Sequence, residues 1–188
     1  RNFQPRHKLS VTGYVDLTTW KAMGYSEYDW YNLGTYRTPM KVTYTSNRQD
    51  RINAMIQTAI DYKNAGTSYK VGCSGTPGSY VDCSGLIYQC LYAAGINPSS
   101  NIVDHALAIH EYTSINLAAD NRLGRSVDTN SLQRGDLVFY GRNGKSSVCH
   151  VAIYAGNGMI YDSWPGRGVT YRSVNIGGYH VVRARRVF

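Results

Sequence analysis

The sequence predicts an α+β domain, on three observations. Helical periodicity is confined to the first half of the chain. Alternating and continuous apolar runs characteristic of strands fill the second half. Glycine and asparagine turns separate those runs at the short spacing of an antiparallel meander. The 188 residues suit one domain with a sizeable core plus a small attachment, and 43% hydrophobic against 17% charged residues is a globular balance.

The elements follow in order. Residues 1–24 hold a short helix ending near Met23, with Asp16 or Thr18 as its cap and Gly24 as its stop, too little to bury a core alone. Residues 25–46 form a linker rich in Tyr, Gly and Thr, whose aromatics argue that it packs on a neighbour. Residues 47–188 form the main domain. Its first helix starts at Ser46 or Asn47, presents Ile52, Met55, Ile56, Ala59, Ile60 and Lys63 at helical spacing, and closes at Gly66. A loop with Gly72, Gly75, Pro77 and Gly78 leads to a second helix, opened by Asp82-Cys83-Ser84-Gly85 and ended by Gly95. Leu86, Ile87, Cys90, Leu91 and Ala94 mark its buried face. Residues 96–130 are mostly polar, with one helix over 103–112. Strands are expected at 137–140, 148–155, 159–163 and 179–188. The last carries Arg183, Arg185 and Arg186 interleaved with Val and Ala, which reads as the exposed side of an edge strand.

The net charge of +8 suggests an anionic partner, such as an anionic cell-wall polymer. No Lys/Arg block stands out, so nucleic acid ranks low. No apolar run is long enough to span a bilayer. The chain opens at Arg1 rather than Met, which reads as a processed or trimmed chain and leaves the compartment open. The four cysteines, 73, 83, 90 and 149, lack the paired CxxC spacing of a zinc site, and His105 and His110 are five apart, a poor spacing for joint ligation on a helix. No metal or cofactor is expected. Seventeen tyrosines against three phenylalanines suit carbohydrate or peptide contacts, or plain packing.

Two stretches carry chemistry. Cys83 sits at a helix N-terminus, where the dipole and unpaired N–H groups favour the thiolate and offer donors to an oxyanion; the competing reading is a buried core cysteine. His150 opens the strand His150-Val151-Ala152-Ile153-Tyr154-Ala155. A three-residue turn at Gly156-Asn157-Gly158, with Gly158 left-handed, pairs residue 155 with 159, 152 with 162 and 150 with 164. Asp162 then shares a face with His150, about 7 Å away along the diagonal. A two-residue turn would put the two on opposite faces. Cys83, His150 and Asp162 are the nucleophile, base and orienter types of a cysteine hydrolase; taken singly, His150 and Asp162 read equally as a satisfied partly buried histidine and a hairpin hydrogen bond.

At these residues the chain from about Asn47 to Phe188 resembles the NlpC-type cell-wall cysteine endopeptidases, a circularly permuted branch of the papain-like fold. The elements that carry the resemblance are Tyr69 before a glycine-rich loop, Asp82-Cys83-Ser84-Gly85-Leu86, Leu132-x-x-Gly135-Asp136-Leu137-Val138-Phe139, and His150-Val151-Ala152-Ile153-Tyr154-x-Gly156-Asn157-Gly158 followed by Asp162. The resemblance implies cleavage of peptidoglycan stem peptides, usually at the γ-D-glutamyl–diamino acid bond, by a secreted or wall-associated protein. Cys83 would attack, His150 would move the proton, and Asp162 would orient His150. Tyr69, Asp82 and Ser84 would line the substrate pocket, and Asp82 reads equally as a helix cap. A different amidase or acyltransferase of the same fold, or a non-catalytic wall-binding protein, are the competing readings.

The chain departs from the family pattern in two places. Tyr-x-Trp-Gly-Gly becomes Tyr69-Lys70-Val71-Gly72-Cys73, and Cys149 precedes the histidine where serine is common. In an extracellular setting Cys73 and Cys149 are either a disulfide or two free thiols. Residues 1–24 resemble the C-terminal half of a small peptidoglycan-binding module, through Phe3-Gln4 and Leu9-x-Val11-Thr12-Gly13-x-Val15-Asp16-x-Thr18-Thr19-Trp20-x-Ala22-Met23.

Overall fold

A computed structural model describes residues 3–12, 15–27, 36–98, 113–119, 121 and 123–188. The helix expected over 103–112, with His105 and His110, lies outside these residues.

Two short helices come first, α1 (Phe3–Arg6) and α2 (Leu17–Ala22). Asp16 caps α2 by accepting the Thr19 N–H. The buried Gln4 ties the pair together: its amide donates to Thr12 Oγ1 at 2.7 Å and Thr19 Oγ1 at 2.9 Å. Residues 36–46 lie against the main domain, with Thr38 and Val42 buried and Tyr36 packed on the core.

The main domain opens with α3 (Arg48–Asn64). Asn47 and Asp50 form a reciprocal capping box at its start, satisfying two donors that a helix end otherwise leaves unpaired. Its apolar face is buried through Ile52, Met55, Ile56, Ala59 and Tyr62. Two-residue strands β1 (Ser68–Tyr69) and β2 (Tyr80–Val81) pair in parallel and bracket the glycine-rich loop. Helix α4 (Cys83–Ala93) follows, buried almost all round, and then a short α5 (Ser114–Ala119).

The remaining strands are β3 (Arg125–Val127), β4 (Leu137–Arg142), β5 (His150–Gly156), β6 (Met159–Trp164), β7 (Gly168–Ser173) and β8 (Tyr179–Arg186). They form one six-stranded antiparallel sheet in the order β3-β8-β4-β5-β6-β7. Helices α3 and α4 cover one face, over Leu137, Phe139, Val151, Ile153 and Val169. Val138, Tyr140, Ala152, Ile160 and Ile176 make a second, smaller cluster on the other face. The alternation read along β5 therefore holds: Val151 and Ile153 face the helices, and Ala152 faces away.

Two expectations are corrected. First, β8 is interior, flanked by β3 and β4. Neither β3 nor β7 stood out in the sequence, because both are short and polar on one side. Arg185 is accordingly buried and donates to the Ala118 carbonyl at 2.9 Å, while Arg186 forms a fork with Asp136. Second, the β5–β6 turn is a two-residue loop, Asn157-Gly158, with φ of 53° and 71°, closed by the Gly156–Met159 pair. A bulge at Ala155 then shifts the register by one, so that Tyr154 meets Ile160 and Ile153 meets Tyr161. This is the pairing the three-residue turn would have produced, reached by another route. Of the two alternatives left open for Cys73 and Cys149, the structure has free thiols: all four cysteines are unbridged, with Cys149 exposed and Cys73 half-buried in the loop.

Candidate active site

The head of α4 is set by close backbone packing. A Cβ on Gly85 would lie 2.1 Å from the Cys73 carbonyl oxygen, so only glycine lets the first turn touch the loop. The Asp82 N–H donates to that same carbonyl at 2.8 Å, and Ser74 Oγ donates to the Gly85 carbonyl at 3.1 Å. Asp82 is the N-cap. Its Oδ1 accepts the Gly85 N–H at 2.7 Å and the Ser84 hydroxyl at 2.8 Å, and its Oδ2 accepts the Gly72 N–H at 2.8 Å. The Asp82 and Ser84 side chains, both buried, are thus bonded to each other and to the loop that walls the site. One turn on, the buried Gln89 receives the Thr38 N–H and hydroxyl and donates to Ser74 and the Tyr36 carbonyl, locking α4, the loop and residues 36–38 together.

Cys83 occupies the first position of α4 and is partly exposed. The N–H groups of Val151 and Ser84 point at its sulfur. Val151 follows His150, so this contact joins the helix head to the start of β5. Other groups around the thiol act in the opposite sense. Burial first, and then the nearby Asp82 and Asp162 carboxylates, push it up to about 12 against the help of those two donors. Desolvation and the two carboxylates thus act against the helix terminus, whose unpaired N–H groups favour the thiolate. Tyr69, on β1, is half-buried beside the same group. Burial, Cys83 and Asp82 together raise its phenol to about 12, so it stays a neutral hydroxyl.

His150 and Asp162 are both buried, with His150 Nε2 2.7 Å from Asp162 Oδ2. Burial opposes ionisation of Asp162, but bonds from His150, Arg172 and Thr170 reverse that and hold its carboxyl below the usual range. An ionised carboxylate only accepts, so His150 Nε2 must carry the proton. The lone pair is left on Nδ1, the nitrogen that can take a proton from a thiol.

Arg172, Thr170 and Trp164 join this centre and were not anticipated. The β6–β7 register sets Thr170 opposite Asp162 and Arg172 opposite Ile160, which places both on the Asp162 face. Thr170 Oγ1 donates to Asp162 Oδ1 at 2.6 Å, and Arg172 Nε lies 3.1 and 3.2 Å from the two oxygens. Trp164 stands edge-on to the His150 ring, with centroids 4.8 Å apart. The alternation in Gly168-Val169-Thr170-Tyr171-Arg172-Ser173 is the signal that could have revealed β7. Among the described residues no cluster of metal-ligating side chains occurs.

A helix-head thiol, a base with its lone pair on Nδ1 and a fixed carboxylate suit nucleophilic attack on a carbonyl with proton relay. The sequence model described as the NlpC/P60 family matches residues 66–186. The chain is 33% identical over 108 residues to a gamma-D-glutamyl-L-lysine dipeptidyl-peptidase of Bacillus cereus, covering 56% of this chain and 28% of that protein. It is 31% identical over 129 residues to the murein DD-endopeptidase MepH of Escherichia coli, covering 65% of this chain and 41% of that one. The chain therefore spans less than half the length of both relatives. The crystal structure of an NlpC/P60 family protein from Bacillus cereus superposes with a TM-score of 0.52 at 31% identity, over 69% of this chain and 40% of the other.

Proposed function

The chain belongs to the NlpC/P60 family, and from that premise we propose that it is a peptidoglycan hydrolase, a Cys-His-Asp endopeptidase that cuts stem peptides at the γ-D-glutamyl–diamino acid bond. The observation that carries the proposal is the buried His150–Asp162 pair at 2.7 Å, beside the Val151 N–H that points at Cys83. The names of the relatives, which act on γ-D-glutamyl and murein substrates, support the substrate class.

The reaction follows from the proton inventory. Cys83 rests as a thiol, so attack and deprotonation are coupled: the S–H proton passes to Nδ1 of His150 as sulfur bonds to the scissile carbonyl carbon. The carbonyl oxygen becomes an oxyanion, received by the Cys83 N–H at the open end of α4. Asp162 steadies the transient imidazolium through Nε2–H. Collapse breaks the C–N bond as Nδ1–H protonates the departing amine, leaving a thioester. Water, deprotonated by Nδ1, then attacks the thioester and restores the thiol and the free carboxylate. Asp82 and Ser84 hold the loop of the pocket wall, and Tyr69 offers a neutral hydroxyl to the stem peptide. The net charge of +8 suits an anionic wall, outside the cell, and residues 1–24 would add part of a wall-binding module.

Mass spectrometry of purified muropeptides after incubation with the protein and with Cys83→Ala tests this reading. Stem fragments formed only by the unmutated chain are expected, and their masses name the bond. Intact muropeptides in both incubations would refute it.

A further inference from the structure

The carboxylate that orients His150 is not a lone anion. Both oxygens of Asp162 are held by Arg172, which donates from Nε to each and from a terminal nitrogen to Oδ2. Thr170 fills a remaining acceptor site on Oδ1, and Asp162 is fully buried. The arginine is itself immobilised. Its guanidinium carbon lies 4.2 Å from the centre of the Trp164 ring. Trp164 is wedged edge-on between His150 at 4.8 Å and Tyr179 at 5.1 Å. Guanidinium, indole and imidazole thus pack in succession beside the Asp162 carboxylate.

We propose that Arg172 is a positioning residue of this site: it fixes the Asp162 carboxylate by both oxygens and takes up part of its charge, so that Asp162 orients His150 without holding it as imidazolium. The proposal rests on the hydrolase reading, in which His150 must begin each cycle neutral. A buried carboxylate with no cation beside it would favour the protonated ring, and a protonated ring cannot accept the Cys83 proton. In many thiol enzymes that problem is avoided by a resting thiolate–imidazolium pair. Here desolvation and the Asp82 and Asp162 carboxylates push the Cys83 thiol up, which favours the neutral pair instead. Arg172 supplies the compensating charge. It does so from β7.

Among the described residues, the charged and titratable groups near the His150 end of the site come from several elements. Asp162 comes from β6, Arg172 from β7 and Tyr140 from β4, with ring centroids 5.7 Å apart for Tyr140 and His150. Cys83 and Asp82 come from the head of α4, and Tyr69 from β1. Burial raises the Tyr140 phenol, so Tyr140 remains neutral, as do Tyr69 and Cys83 through the neutral range. Removing Arg172 therefore leaves net negative charge beside the imidazole, contributed by Asp162.

The test is an NMR titration of the His150 ring, assigned by its absence in His150→Gln, in the unmutated chain, Arg172→Gln and Arg172→Lys. In parallel, kcat and KM on muropeptides are measured against pH. In Arg172→Gln the His150 midpoint is expected to rise by about one pH unit. The ascending limb of kcat/KM should move up with it, so that cleavage falls about tenfold on the acid side and recovers at higher pH. Arg172→Lys keeps the charge but loses the fork, so its midpoint should stay within about 0.3 units while kcat falls and KM holds. A His150 midpoint unchanged in Arg172→Gln, with activity lower by the same factor at every pH, would overturn the proposal and leave Arg172 a strand-holding residue. Should Arg172→Gln lose its dispersed spectrum, Arg172→Lys decides alone: an unchanged kcat overturns the proposal, and a lower kcat at constant midpoint supports it. A midpoint that moves as expected while even the unmutated chain leaves muropeptides intact supports the charge coupling and refutes the hydrolase reading.

Discussion

Gly85→Ala puts helix propensity and packing in direct opposition. Gly85 lies inside α4, where alanine is favoured by up to about 1 kcal/mol on propensity alone. The added methyl, however, would lie 2.1 Å from the Cys73 carbonyl oxygen and 3.1 Å from Ser74 Cα, and both obstacles are backbone. Relief requires the loop and the helix head to part by about 1 Å, an overpacking cost of about 1–3 kcal/mol. That movement strains the Asp82 N–H bond to Cys73 at 2.8 Å and the Ser74 bond to Gly85 at 3.1 Å, worth about 1 kcal/mol each. After the propensity gain is subtracted, a net loss of about 2–4 kcal/mol remains. For a chain of this size that lowers Tm by about 4–16 °C, measured by circular dichroism. Because Asp82 and Cys83 head the same turn, muropeptide cleavage should fall with it. A variant as stable as the unmutated chain, or more so, would refute the close-packing argument.

Other expectations follow from the same structure. Alkylation of Cys83 by iodoacetamide should climb about tenfold per pH unit from about pH 6 to about pH 9 without a plateau, because the folded thiol loses its proton far above that range; a plateau near neutrality would reveal a resting thiolate. Asp162→Asn should cut kcat by about 100-fold or more through loss of the Nε2–H tautomer, with the rate read on muropeptides. Since the folded carboxyl of Asp162 lies below its ordinary value, its contribution to stability is complete above about pH 4 and lost as pH falls through the folded value. The acid limb of denaturant-measured stability should accordingly be shallower in Asp162→Asn. Gln89→Leu strands the Thr38 N–H and the Ser74 and Tyr36 carbonyls, for a loss of about 2–4 kcal/mol, and should make residues 36–46 the first site of limited proteolysis.

The chain by itself determined the elements whose signal is local. Asn47 and Asp50 cap α3 through residues three apart, Asp82 begins α4, and the alternation of Val151 and Ile153 assigns the faces of β5, all before any long-range contact is known. The residue types of the proposed reaction were legible for the same reason, since a helix-head cysteine and a strand-opening histidine are each set by neighbouring residues. What tertiary structure decided is the company those groups keep. Arg185 and Arg186 became interior because β3 pairs outside β8, a partnership some 60 residues apart in sequence. The hairpin register depended on a bulge at Ala155, where one residue more or less on either strand decides which face Asp162 meets. The state of Cys83 depended on summed burial and two carboxylates, one from its own cap and one from a distant strand. The Arg172 fork depended on β7, whose short alternating run says little until β6 is laid beside it. Electrostatic environment is a sum over groups brought close in space, so a one-dimensional pattern can nominate the thiol, the base and the carboxylate but cannot fix which of them carries a proton.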